Sequence, residues 1–136
     1  MWWFNKVKRT EIWDEAIASP IGDIDAAHRI RVICRSAADS ARAVGSFADR
    51  AENEKKKSDI RQNQRESERY ERAAKAAMEI AMKVSDELLR DAAVRQIVEL
   101  CLKANDTRTA RPLFRAIHAK SIIEDVLQAH PSLRGE

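Results

Sequence analysis

At 136 residues the chain has room for one domain with a real hydrophobic core, and little room for two. Hydrophobic residues make up 44% and charged residues 35%, which is too apolar for disorder and suits long solvated helices, while three glycines and three prolines are too few turn formers for a β-rich domain. The 25 basic and 22 acidic side chains are spread along the chain and leave a net charge of +3, so no basic tail argues for nucleic acid or membrane.

The N-terminal Trp2-Trp3-Phe4 cluster is followed by Lys6, Lys8 and Arg9. It is too short for a signal peptide, and no window approaches the ~20 apolar residues of a membrane span, so a cytoplasmic location is expected. Trp2 and Trp3 are expected to pack across the core, or to anchor a protein partner or a second copy of the chain, rather than to sit on lipid. Thr10 is placed to cap a short helix, Glu11–Ala18, whose apolar face is Ile12, Trp13, Ala16 and Ile17. Ser19-Pro20 ends it.

From Asp23 to about Glu54 there is no strong breaker. Ala26, Ile30, Ile33, Ala37, Ser40, Val44, Phe47 and Ala51 recur in steps of four and three, a heptad seam. Gly45 lies beside that seam, where its cost of roughly 1 kcal/mol against alanine is explained by a close helix neighbour. A second seam runs through Ile60, Asn63, Ser67, Tyr70, Ala74, Ala77, Ala81, Val84 and Leu88, opened by a capping-box-like Asp59 and Gln62. Two such helices joined at Lys55–Ser58 form a long antiparallel, coiled-coil-like hairpin, with Ala51 opposite Asn63, Val44 opposite Tyr70, Ala37 opposite Ala77 and Ile30 opposite Val84. Glu54, Asn63 and Ser67 predict a polar tip. Ile30, Ile33, Val84 and Leu88 predict an apolar base.

The heptad phase fails after Leu88, so a break falls between Ser85 and Asp91. A third helix carries Val94, Ile97, Val98 and Cys101 and ends near Ala104. A last helix after Thr107 or Thr109 takes Pro112 in its first turn and buries Leu113, Ala116, Ile117, Ile123, Val126 and Leu127. Pro131 stops it, and the residues after it should fray. The fold class expected is therefore all-α: a long hairpin packed with two to three shorter helices in one domain, 1–136.

Chemical motifs are scarce. Cys34 and Cys101 lie in apolar helical runs outside any CxxC pair and read as free thiols of a reducing compartment. His28, His118 and His130 are not spaced for metal, and Asp25 with His28 reads as a cap beside a surface histidine. There is no HExxH, GxSxG or glycine-rich phosphate loop. No catalytic residue, cofactor or metal is expected.

Two arginine stripes remain. Arg61, Arg65, Arg69 and Arg72 fall within about 80° of one another on a helix. Arg108, Arg111 and Arg115 gather at a helix N-terminus, where cations oppose the dipole, with His118 following. The sequence is read as a non-enzymatic interaction module, an adaptor, inhibitor or assembly subunit, that presents a charged hairpin to a protein partner. The competing reading is a nucleic-acid or polyanion binder that uses the stripes.

Overall fold

The computed structural model describes residues 11–17 and 20–135. Those residues form five α-helices and no strand: α1 Asp23–Asp49, α2 Lys57–Ala81, α3 Glu87–Lys103, α4 Thr107–Arg115 and α5 Lys120–Ala129. Single 3-10 turns occur at Ile12–Asp14, Glu52–Glu54 and Pro131–Leu133.

Helices α1 and α2 are the two arms of an antiparallel hairpin. Their facing residues are small where the backbones come close: Ala26, Ala37, Ala73, Ala77 and Ala81 are fully buried. Ile30, Ile33, Ile80 and Ile97 fill the space toward the base. Helix α3 then runs parallel to α1. Asp23 at the start of α1 accepts hydrogen bonds from the Ser85 and Asp86 backbone N–H groups (2.8 and 2.9 Å), just before α3 begins. At the other end Asn105 donates to the Gly45 carbonyl and to Asp49, at 3.2 and 3.0 Å. Gly45 is the close approach its position suggests: a Cβ there would collide with the Lys103 carbonyl oxygen.

The hairpin turn comes earlier in the chain than its spacing predicts. Helix α1 stops at Asp49, not near Glu54, and the connection spans 50–56. Beyond Gly45 no residue of α1 is buried, so no apolar packing carries the helix on past Asp49. Arg50 instead bonds the Glu54 carbonyl and the Asp59 carboxylate, both at 3.0 Å. Asp59 is therefore not the N-cap; from the first turn of α2 it reaches back to the Lys56 N–H at 3.3 Å. The pairing shifts by between one and two turns with it, so that Arg50 faces Asp59 and Ser40 bonds both Glu66 and Arg69.

Four further expectations are corrected. Residues 11–17 hold one 3-10 turn at Ile12–Asp14, and Glu15 is extended, so no α-helix runs from Glu11; Thr10, Ala18 and Ser19 lie outside the described residues. Leu88 is not part of the apolar base but is 60% exposed, because α2 ends at Ala81 and α3 starts on a new phase, capped by the Asp86 side chain on Leu89 N–H (2.9 Å). The last helix is two helices. Pro112 sits inside α4 rather than in its first turn, and helix is interrupted at 116–119. Buried Asp91 on α3 takes the His118 and Ala119 N–H groups (3.0 and 2.8 Å) and so starts α5 afresh. The segment after Pro131 does not simply fray: Leu133 is buried in the core. No helix among the described residues is long and apolar enough to cross a membrane.

Candidate interaction surfaces

Helix α2 places its arginines in a row, as their spacing requires, yet the row divides in two. Arg69 binds Glu11 at 2.9 Å and Ser40 Oγ at 2.6 Å, and its guanidinium lies 5.2 Å from the ring centre of Trp13. The hydrogen bond to Glu11 raises the Arg69 pKa further above its usual value. Arg72 reaches both carboxylate oxygens of Asp14 at 2.6 Å. These two side chains clamp the 11–14 segment and seat Trp13, which is 4% exposed, against the hairpin. Arg29 secures the following residues by donating to the Glu15 and Ala16 carbonyls. Arg61 and Arg65 are exposed, and among the described residues Arg65 has only Gln62 as a partner, at 2.6 Å.

The outer half of the hairpin is built from polar contacts. From Lys57 to Arg69 helix α2 has no buried side chain. Lys55 sits 4.6 Å over the Phe47 ring. The Lys56 N–H, helped by Arg50, holds the Asp59 carboxyl below its usual pKa.

The second predicted stripe does not act as one cluster. Arg108 and Arg115 are exposed, Arg111 is half-buried, and His118 has left the stripe to pair with Glu87 at 3.0 Å. Asp106 caps α4 through the Thr109 N–H (3.1 Å) and also accepts the Tyr70 hydroxyl (2.6 Å), which brings a negative charge to a helix start rich in arginine. Trp2 and Trp3 lie outside the described residues.

The cysteines are not poised for chemistry. Cys34 is half-buried and Cys101 buried, and both are free. Burial pushes the Cys34 thiol up to about 12 and the Cys101 thiol up to about 11, so neither offers much thiolate at neutral pH. Burial, then the bond to Asp106, drives the Tyr70 hydroxyl well above its ordinary range. Among the described residues no three His, Cys, Asp or Glu side chains converge in a group able to hold a metal ion.

Two surfaces went unread in the sequence. Ile24, Met82 and Leu88 are 80%, 72% and 60% exposed around the junction where Asp23 caps the approach to α3. The other is a groove between α1 and α3. Its edge carries Arg31, Arg35 and Arg42 from α1 and Lys103 from α3, all exposed. Its floor is Cys34, Ala38 and buried Leu100. The signal for the three arginines was present, since positions 31, 35 and 42 fall within about 40° on a helix. Lys103 joins them only through the packing of α3.

Comparison with protein-family models, with curated proteins and with solved structures finds no match to this chain.

Proposed function

We propose that the chain is a non-enzymatic helical interaction module that presents the outer half of its hairpin to a protein partner. The observation that carries this reading is the stretch Lys57–Arg69, a regular helix in which no side chain is buried. Exposed ion pairs stabilise a helix by a few tenths of a kcal/mol each, so intrachain stability is a weak reason to extend α2 this far. A partner that covers this helix is a better one. The tie of Arg69 to Glu11 and of Arg72 to Asp14 supports a protein partner over a nucleic acid, because it leaves only half of the stripe for phosphates.

The test is affinity capture from nuclease-treated extract of the native host, with the wild-type chain beside the double reversal Arg61→Glu, Arg65→Glu. Arg69 and Arg72 stay unchanged because they hold the 11–14 segment. A discrete protein retained by the wild type and lost by the double reversal is the expected result. Capture that depends on nucleic acid, or that is indifferent to the reversal, overturns the reading.

A further inference from the structure

We propose that the α1/α3 groove is a docking site for an acidic amphipathic helix of a protein partner. This deepens the reading as a protein-binding module, on which it rests, and places the contact on a different face from the hairpin tip.

Arg31, Arg35 and Lys103 stand at the edge of the groove with no carboxylate, hydrogen-bond or ring partner among the described residues. Arg42 is joined to Asp39 at 3.0 Å, a pair in which Arg42 is 59% and Asp39 98% exposed. Such a pair contributes little and yields readily to a competing carboxylate. Among the described residues Glu99 is the one acidic side chain that lines the groove, and it is already engaged by Arg95 at 3.4 Å. Arg95 also faces Asp125 at 3.6 Å, so its charge is directed away from the groove. The chain as a whole carries only a net +3, yet this strip gathers four cations beside two carboxylates, Glu99 held by Arg95 and Asp39 paired with Arg42.

Shape selects the occupant. Arg31, Arg35, Ala38 and Arg42 repeat in steps of four, three and four along α1, which is the spacing a second helix reads when it lies alongside. Cys34 and Ala38 are small, and with Leu100 they make a narrow apolar floor between two helices. A helix with small apolar residues toward that floor and glutamates on either side would meet Arg31, Arg35, Arg42 and Lys103 along its flanks. Guanidinium groups bind carboxylates in paired, oriented hydrogen bonds, which fixes register as well as attraction. A nucleic-acid strand would also answer the charge, but among the described residues the groove has no aromatic ring on which a base could stack, and its apolar floor is one that phosphates would leave uncovered.

The experiment uses the whole chain and three labelled probes in fluorescence anisotropy: a helical peptide with Ala and Leu on one face and Glu on its flanks, the same peptide with Lys for Glu, and a DNA duplex of about 20 base pairs. The expected result is binding of the acidic peptide alone, weakened about tenfold or more by Arg31→Glu with Arg35→Glu. Ala38→Gln, which keeps every charge but fills the floor, should weaken it as well. All these positions are at least partly exposed, and a circular dichroism melt confirms that each variant folds. Equal loss for duplex and peptide, or peptide binding indifferent to Ala38→Gln, overturns the proposal in favour of a general polyanion surface. If the captured partner of the hairpin is lost by the Arg61, Arg65 reversal but kept by the Arg31, Arg35 reversal, the module stands and the groove falls.

Discussion

At the base of the hairpin Ile30, Ile33 and Ile80 are sealed into one apolar core with Ile97 of α3; at the tip Arg50, Asp59 and Lys55 hold the chain by charge, beside the half-buried ring of Phe47. The two ends share one heptad spacing. Ser40 marks the change between them: it sits in the seam, fully enclosed, but donates to Glu66 at 2.6 Å and accepts from Arg69. What differs is the third helix. Where α3 lies against α1 the seam is closed into a core, and past Gly45 and Asn105 it is not. The lesson is that a heptad pattern sets which side of a helix turns inward, while a third element decides how much of that side becomes dry.

The contrast breaks most visibly at an enclosed isoleucine. Ile33→Ala or Ile97→Ala should cost about 2–5 kcal/mol in urea unfolding, as buried large-to-small changes do. Asn63→Ala at the tip and Leu88→Ala on the exposed start of α3 should each cost less than about 1 kcal/mol. Comparable losses at Ile33 and Asn63 would mean that the tip is buried too, by a second copy of the chain.

Asp91→Ala tests whether the base depends on a polar device as well as on apolar packing. It leaves the His118 and Ala119 N–H groups without their acceptor, and should cost about 1–3 kcal/mol. Hydrogen exchange at the start of α5 should rise more than exchange in α2. Uniform loss of protection would show that Asp91 supports the whole core rather than one helix start.

Gly45→Ala probes the boundary itself. Helix propensity favours alanine by roughly 1 kcal/mol, but the new methyl meets the Lys103 carbonyl, and overpacking of this kind costs about 1–3 kcal/mol. A net destabilisation of up to about 2 kcal/mol is expected from thermal unfolding. A more stable variant would show that α3 has room to move away.

The smallest effect is a pH dependence at the Asp23 cap. The Ser85 and Asp86 N–H groups hold this carboxyl below its ordinary value of 3.8. A carboxyl whose folded pKa is depressed adds stability above its unfolded value and loses it as pH falls through the folded one. The stability difference between wild type and Asp23→Asn should therefore be full near neutral pH and close below about pH 4. A difference that persists unchanged in acid would mean that the cap works by hydrogen bonding alone.

Much of the architecture was legible because helical periodicity is local. The seam from Ala26 to Ser40 and the buried face of Tyr70, Ala74, Ala77 and Ala81 follow from spacing within each segment, and Gly45 announced a close neighbour before that neighbour was known. The same locality misplaced Leu88 and the turn, since a pattern carries on through positions where the chain has already left the helix. Of the candidate surfaces, the sequence located the row Arg61–Arg72 and the cluster Arg108–Arg115 on their helices. It could not divide the first row, because the partners of Arg69 and Arg72 lie 58 residues away on the 11–14 segment.

What the sequence determined by itself is the helical class, the two long arms and the face each turns inward, because these depend on residues one or two turns apart. Only the tertiary structure decided that α3 runs beside α1, that Asp23 and Asp91 start helices remote from them, and that Lys103 completes a cationic groove with Arg31, Arg35 and Arg42. The physical reason is the range of the interactions. A hydrogen bond or an ion pair between distant segments leaves no period in the chain, and appears only once burial of the apolar faces has brought those segments together.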